Sequence, residues 1–417
     1  MLKTILVFLI IFSIIVIIHE FGHLYWAKRA GILVREFSLG MGPKIFSKQA
    51  KDGTTYTIRA LPMGGYVRLA GLNEEAEVQP GQSLGLSFNE QNDVIKINLS
   101  ETSDINELPV RLDKADLVNE MTLDVYEQGE EVLKTYHVHP QAEIIEKDGT
   151  IIRVAPLATR YESVPVWNKI LTNFGGPLNN FILSIVAFAI VGLLLPGIPT
   201  NTNQIGQVVE GSPAAGAGLQ AGDRITKVNT QATKDWQGLV DLIAKYPNET
   251  VQLEIQRQDQ VIEKELQLEE NELGYGSLGI TIGQSTSIKD RLAFGFTATY
   301  RTFIMVLSAL ATLFSRGFDL NMLGGPVAMA QATSTVANEG LIDIIAFLAS
   351  LSTNLGIVNL LPIPALDGGK IVLNLVELVR GKPLSQEKEG IVTMVGVVLV
   401  LILMIAVTWN DIMRAFF

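Results

Sequence analysis

The chain has no cysteine among its 417 residues. That excludes a disulfide framework, and any bound zinc must be held by histidine and carboxylate. Histidine is itself scarce: His19, His23, His137 and His139 are the full set of four. Positive charge is in deficit too, with 32 Lys and Arg against 43 Asp and Glu and a formal net charge of -11. A nucleic-acid partner would want a basic face, so that class is set aside. Charged residues make up only 18% of the chain, hydrophobic ones 48%, and mean hydropathy is positive. This is too apolar for a simple soluble enzyme and long enough for a membrane core with added domains. An export-facing domain without disulfides is compatible with a bacterial envelope.

Two of the four histidines stand close together, in His19-Glu20-Phe21-Gly22-His23. The pattern is H-E-x-x-H, inside an apolar run from Leu2 to Ala27. Residues four apart share one face of a helix, so both imidazoles can reach one metal ion. Glu20 beside them can act on a metal-bound water. Ionisable side chains inside a spanning segment cost roughly 2.5–3.5 kcal/mol each on insertion scales and default to a functional reading. A cleaved signal peptide would also show Lys3 and the apolar stretch, but no small-x-small site follows. Polar residues with a purely structural role are the other alternative.

The segments 2–27, 174–195 and 391–409 read as spans, each near the ~20 residues that a bilayer core demands. A fourth, Leu341–Leu378, is apolar but broken by Pro362, Pro364 and Gly368-Gly369. Leu292–Phe314 carries Arg301 at its centre and reads as an amphipathic helix at the interface, with a span as the alternative. The fold class expected is therefore a multi-pass α-helical membrane protein of about four transmembrane helices. Basic residues cluster after the first span (Lys28, Arg29, Arg35, Lys44, Lys48, Lys51), before the second (Lys169) and between the last two (Arg380, Lys382, Lys388). Positive-inside counting makes these flanks cytoplasmic, with both termini outside. His19 follows Ile5 by about 21 Å of helix. It thus lies inside a core of about 30 Å, some ~9 Å from the cytoplasmic boundary.

A catalytic zinc usually takes three protein ligands and keeps one position open. His137 and His139 alternate on a strand-like stretch, and a solvated strand face accounts for them. Asp367 is the stronger candidate for the third ligand. It lies in Asn359-Leu-Leu-Pro-Ile-Pro-Ala-Leu-Asp367-Gly368 within the broken apolar segment, at roughly the depth of His19. An aspartate there needs a partner; the alternative is a helix-ending Asp-Gly-Gly turn at the interface.

With HEFGH in the first span and NLLPIPALDG in the third, the chain resembles the site-two protease family of intramembrane zinc metalloproteases, closest to its bacterial RseP/Eep type. The resemblance implies one Zn²⁺ per chain, with His19, His23 and Asp367 as ligands and Glu20 as catalytic base. It implies Asn359, and more weakly Asn354, as substrate-binding residues. It further implies that Tyr56–Leu69, a hairpin-like β element around Gly64 and Gly65, dips into the membrane and holds substrate along its edge as a strand. Substrates would be single-pass membrane proteins, such as trimmed anti-sigma factors, or remnant signal peptides, cleaved in the bacterial cell membrane.

The expected organisation is a first helix over 1–27, a membrane-reentrant β region over 28–72 and an acidic cytoplasmic β-rich insert over 73–165. A second helix follows over 166–199, an extracytoplasmic domain over 200–286 and the interfacial segment over 287–335. The third helix covers 336–380, and a loop with the fourth helix covers 381–417. Asn73–Asn92 reads as a disordered linker. Gly211–Asn229 is similar to a bacterial protease-type PDZ domain. Leu278-Gly279-Ile280 is similar to the loop with which such domains capture a peptide carboxylate, and one PDZ domain fits here. Two rival readings are a membrane-anchored peptidase with an aqueous site, and a PDZ scaffold or metal sensor that does not cleave.

Overall fold

The computed structural model describes residues 2–72, 78–100, 107–315 and 319–416. The chain forms two compact units. One comprises Met1–Ala187 with Ala298–Phe417, the other Phe188–Thr297.

Helix α1, Leu2–Arg29, buries Ile11, Ile15, Val16, His19 and Gly22 along one stripe. Its other faces expose Leu2, Leu6, Ile10, Ile14 and Phe21. A helix apolar all round belongs in a core or a bilayer. Among the described residues, five helices are long and apolar enough to cross a membrane: Leu2–Arg29, Val166–Leu194 (α2), Ile288–Leu313, Leu341–Asn359 and Glu387–Ala415. About four were expected. The addition is the segment read as interfacial, which lies in helix α5, Ile288–Ser315. By length and composition α5 is of the same kind as the others. Small polar groups tie the bundle together: Thr353 Oγ1 is 2.6 Å from Ser184 Oγ, which is 3.0 Å from Thr299 Oγ1, all buried. Such pairs take the place of the hydrophobic drive that lipid does not supply.

Between α1 and α2 lie two long strands, β1 (Val34–Gln49) and β2 (Thr55–Leu69). They fold into four rows, the outer pairs antiparallel and the central pair, 36–39 with 55–58, in parallel register. Residues 34–39 pair with 55–58 on one side and with 65–69 on the other, while 44–49 pair with 55–59. This corrects the hairpin expected within Tyr56–Leu69. Its two halves do not pair with each other, because residues 34–39 run between them. Glu36, 2% exposed, accepts from Thr57 at 2.6 Å, Arg59 at 2.8 Å and Tyr66 at 2.8 Å. It thereby pins the middle row to both neighbours. The row 65–69 has its other side free of strand partners among the described residues.

Residues 83–153 form a six-stranded sheet in the order 94–98, 83–88, 108–116, 122–127, 133–145, 151–153. The strand 94–98 also pairs in parallel with 133–145, closing a ring around Leu86, Ile97, Leu123, Val125 and Ile144. Closure leaves few edges to aggregate. The disordered linker expected over Asn73–Asn92 is corrected in part: Ser83–Phe88 is a strand with Leu84 and Leu86 buried. The alternation of Leu84 and Leu86 lets them fill the ring. Residues 73–77 lie outside the described ones.

Helix α7, Leu341–Asn359, stops at the first proline of the broken segment, and α8, Asp367–Arg380, begins seven residues after Leu360. Proline removes an N–H and ends the ladder. Asp367 therefore sits in the first turn of a helix, where the macrodipole favours a carboxylate. Helix α6, Pro326–Glu339, starts with Pro326 after Gly324-Gly325, a place where proline's fixed φ and missing N–H cost nothing. A buried network fixes α8 against α2: Lys169 bonds Glu377 at 2.8 and 3.0 Å, and Tyr161 Oη accepts from Asn173 and Asn374 at 2.8 and 3.0 Å. Helix α9, Gln386–Phe416, closes the chain.

The second unit holds a four-stranded antiparallel sheet in the order 231–232, 224–228, 250–257, 260–267. Against it pack a short helix α3, Pro213–Gly216, and helix α4, Trp236–Ile243, around Ile225, Leu239, Leu253 and Ile255. Ser212 and Asp235 cap the two helices. Leu278 is in this core, and Ile280 pairs with Val208 on the neighbouring strand. Buried Asp223 accepts a two-pronged pair from Arg257 at 2.7 and 2.8 Å and the Gln220 N–H at 2.8 Å. Burial raises its pKa, but the Arg257 bond and the backbone N–H outweigh that and hold it below the ordinary carboxylate value. A depressed pKa stabilises the folded state above the unfolded-state value and loses that contribution as pH falls through the folded value. We expect Asp223→Asn to lower the melting point of this unit at pH 7 by roughly 5–10 °C, followed by amide exchange in the intact protein. The gap to wild type should close as the pH drops below the ordinary carboxylate range.

Candidate active site

His19 and His23 project from α1 on the face that α2 covers. Their Nε2 atoms lie 3.2 Å apart. Asp367, brought in by the first turn of α8, places Oδ2 3.2 Å from His19 Nε2 and 3.4 Å from His23 Nε2. The buried Oδ2 has no hydrogen-bond partner. These three form the one group of three or more candidate metal ligands found among the described residues, with their donor atoms within 4.8 Å of one another. Three lone-pair donors crowded without a proton for each contact suit a shared cation. Two imidazoles and a carboxylate are a zinc donor set. His23 Nδ1 is 2.7 Å from the Thr172 carbonyl. A carbonyl only accepts, so Nδ1 carries the proton and Nε2 keeps its lone pair for the metal.

The two helices meet where neither has a side chain. A Cβ on Gly22 would stand 2.1 Å from the Gly175 carbonyl oxygen, and one on Gly175 would stand 2.6 Å from that of Gly22. A Cβ on Gly176 would fall 2.4 Å from His23 Nε2 and 2.7 Å from His19 Nε2. Gly176 thus leaves open the space at the donor atoms. Pro177 follows it inside α2, where its ring and missing N–H disturb the helical ladder.

A cavity of about 360 Å³ opens over the group. Its lining includes Glu20, Asn359, Gly64, Gly65, Asn173 and Lys370. The fold therefore brings Gly64, Gly65 and Asn359 to the same place as His19, Glu20, His23 and Asp367. Gly65 lies against Glu20, the position of a Cβ there being 3.6 Å from Glu20 Cγ. Asn354 lines a second cavity of about 380 Å³, which shares Phe12 and Leu355 with the first. A third, of about 820 Å³, carries Tyr161, Lys169, Glu377 and Glu389 and shares Leu72 with the first. His137 and His139 are on the strand 133–145 of the ring and join no ligand group among the described residues.

Sequence reasoning passed over α2. Thr172, Asn173 and Gly176 touch or line the site, and so does Asn180, whose Nδ2 is 3.0 Å from His19 Nδ1. The signal was available: asparagines inside an apolar span are expensive unless they bond something. Replacing Gly176 with alanine puts a methyl group at the donor atoms. Gly176→Ala should cost at least about tenfold in zinc affinity in a chelator competition, with the helical circular dichroism unchanged.

Comparison with known proteins extends these observations to the whole chain. The sequence pattern described as Peptidase family M50 matches residues 7–403. A Lactococcus lactis protein bearing the name zinc metalloprotease LL2128 is 48% identical over 430 residues, covering 100% of both chains. The Enterococcus faecalis protease Eep is 46% identical over 424 residues, again covering 100% of both. Among solved structures, the PDZ domain of an SdrC-like protein from Listeria monocytogenes is 26% identical, covering 20% of this chain and 90% of that one, with a TM-score of 0.19. The chain is a zinc-dependent metallopeptidase and belongs to Peptidase family M50, the site-two protease family.

Proposed function

We propose that the protein is an intramembrane endopeptidase that hydrolyses peptide bonds within the transmembrane segments of single-pass membrane proteins, in regulated intramembrane proteolysis. The observation that carries this reading is the convergence of His19 and His23, from a helix of spanning character, with Asp367, at the head of the helix that follows another. Trimmed anti-sigma factors and remnant signal peptides are the substrates of suitable form. The protein lies in the bacterial cell membrane, with the active site near the cytoplasmic face and the unit 188–297 outside.

In this reading His19, His23 and Asp367 hold Zn²⁺, which supplies the Lewis acidity for peptide hydrolysis. Glu20 has no ion pair or hydrogen bond among the described residues and faces the cavity. Its carboxylate accepts a proton from the attacking water as the water oxygen bonds to the carbonyl carbon. It then gives that proton to the amine nitrogen as the C–N bond breaks. A helical substrate has its carbonyls occupied, so the segment must be extended. The open row 65–69, with Gly64 and Gly65 beside Glu20, accepts it as an added strand, and Asn359 positions its backbone. Asn354 binds the same segment from the adjoining cavity. Water arrives through the adjoining cavity, past Tyr161 and Glu377.

The unit 188–297 acts as a PDZ domain. Leu278-Gly279-Ile280 supplies the loop for a peptide C-terminus, and the strand 280–282 has one side free of strand partners among the described residues.

The test pairs zinc per chain with cleavage of a tagged model transmembrane helix in detergent. Wild type should bind about one zinc and cleave. Glu20→Gln should keep the zinc and lose cleavage by at least about 100-fold, while Asp367→Ala should lose both. Retention of zinc and activity in Asp367→Ala would move the third ligand elsewhere and favour a site in water.

A further inference from the structure

The two imidazoles are held from behind by unlike groups. His23 Nδ1 faces a carbonyl, which settles its tautomer. His19 Nδ1 faces the side-chain amide of Asn180, at 3.0 Å from Nδ2. Asn180 is fully buried, and its Oδ1, also buried, has no hydrogen-bond partner. In that orientation the amide donates to Nδ1. A neutral imidazole with an accepting Nδ1 carries its one proton on Nε2. Nε2 is the atom that stands 3.2 Å from both His23 Nε2 and Asp367 Oδ2. A proton there would close His19 to the metal.

Amide oxygen and nitrogen are near-isosteric and are assigned from their bonding partners. Turning the Asn180 amide over puts Oδ1 on His19 Nδ1. We propose that Asn180 is a positioning residue whose side-chain oxygen accepts the Nδ1–H of His19, so that the Nε2 lone pair points to the place shared with His23 and Asp367. The inference rests on the zinc-site reading above and adds to it the group that fixes the tautomer of the first ligand. The amide NH₂ then takes the position the oxygen held.

The rest of α2 holds this residue in place. Ser352 Oγ, on α7, donates to the Asn180 carbonyl at 2.8 Å. Asn179 Nδ2 donates to the Ile18 carbonyl at 3.0 Å, one residue before His19. The adjacent asparagines therefore do separate work. Asn179 clamps the backbone of α1 to α2, and Asn180 acts on the ring that follows.

The experiment compares Asn180→Asp with Asn180→Leu in the full-length protein in detergent. Aspartate can only accept at neutral pH; leucine fills the volume and cannot bond. Zinc affinity is read by chelator competition. The ring tautomer is read in zinc-loaded protein labelled with ¹⁵N at histidine, of which there are four. We expect wild type to show a protonated Nδ1 at His19, assigned by its loss in His19→Gln. Asn180→Leu should weaken zinc binding by about 10–100-fold, and Asn180→Asp should stay within a few-fold of wild type. Equal loss in both variants, or a protonated Nε2 at His19, overturns the proposal, and so does an unchanged affinity in Asn180→Leu. Should Asn180→Leu fail to fold, the aspartate variant and the wild-type tautomer still decide. Failure of the underlying zinc-site reading looks different: wild type would bind no zinc, or Asp367→Ala would bind it as well as wild type.

Discussion

Two imidazole nitrogens and a carboxylate oxygen occupy a space where only a cation could satisfy all three. In water such a cluster would relax apart. Here the packing of the helices that carry the ligands holds it together. The carboxylate comes from the start of one helix and both imidazoles from another, so two separate segments must be held in close register. Much of the architecture of the larger unit serves that demand. The glycine contact between α1 and α2 sets their separation. The Lys169–Glu377 pair and the Tyr161 network set α8 against α2. The proline break after α7 turns the chain so that Asp367 heads a helix.

The site was legible in the sequence where its chemistry is local. Four-residue spacing put His19 and His23 on one face, and an aspartate in an apolar segment called for a partner. Asp367 could be matched to them because charge in such a setting is rarely idle. Asn173 and Asn180 obey the same rule but were absorbed into the apolar average of their span. A single amide alters mean hydropathy little, yet it must bond something. Gly176 was invisible for a different reason: its importance is a methyl group it does not carry, and only the neighbouring helix reveals that.

The β elements divide in the same way. Alternation within Tyr56–Leu69 reported strand character correctly, but pairing is a property of two segments. The run 34–39 reads as the continuation after α1, and nothing local says that it will part the two halves of its neighbour. The closing of the ring by strands 94–98 and 133–145 is likewise a long-range event. Leu84 and Leu86 fell in a stretch judged by its acidity, which outweighed a short alternation that turned out to be half of a core wall. By contrast, Pro362 acts on its own backbone, and the break it announces in the apolar segment is where α7 ends.

The order in which the chain emerges from the ribosome gives the late position of Asp367 a meaning of its own. His19, Glu20 and His23 are made with the first helix, while the carboxylate that completes their set, Asp367, follows 348 positions after His19. A partly made chain, or one truncated anywhere before the last two helices, therefore carries a motif that cannot assemble. Setting the ligands so far apart in the chain keeps the hydrolase silent until α8 has been made.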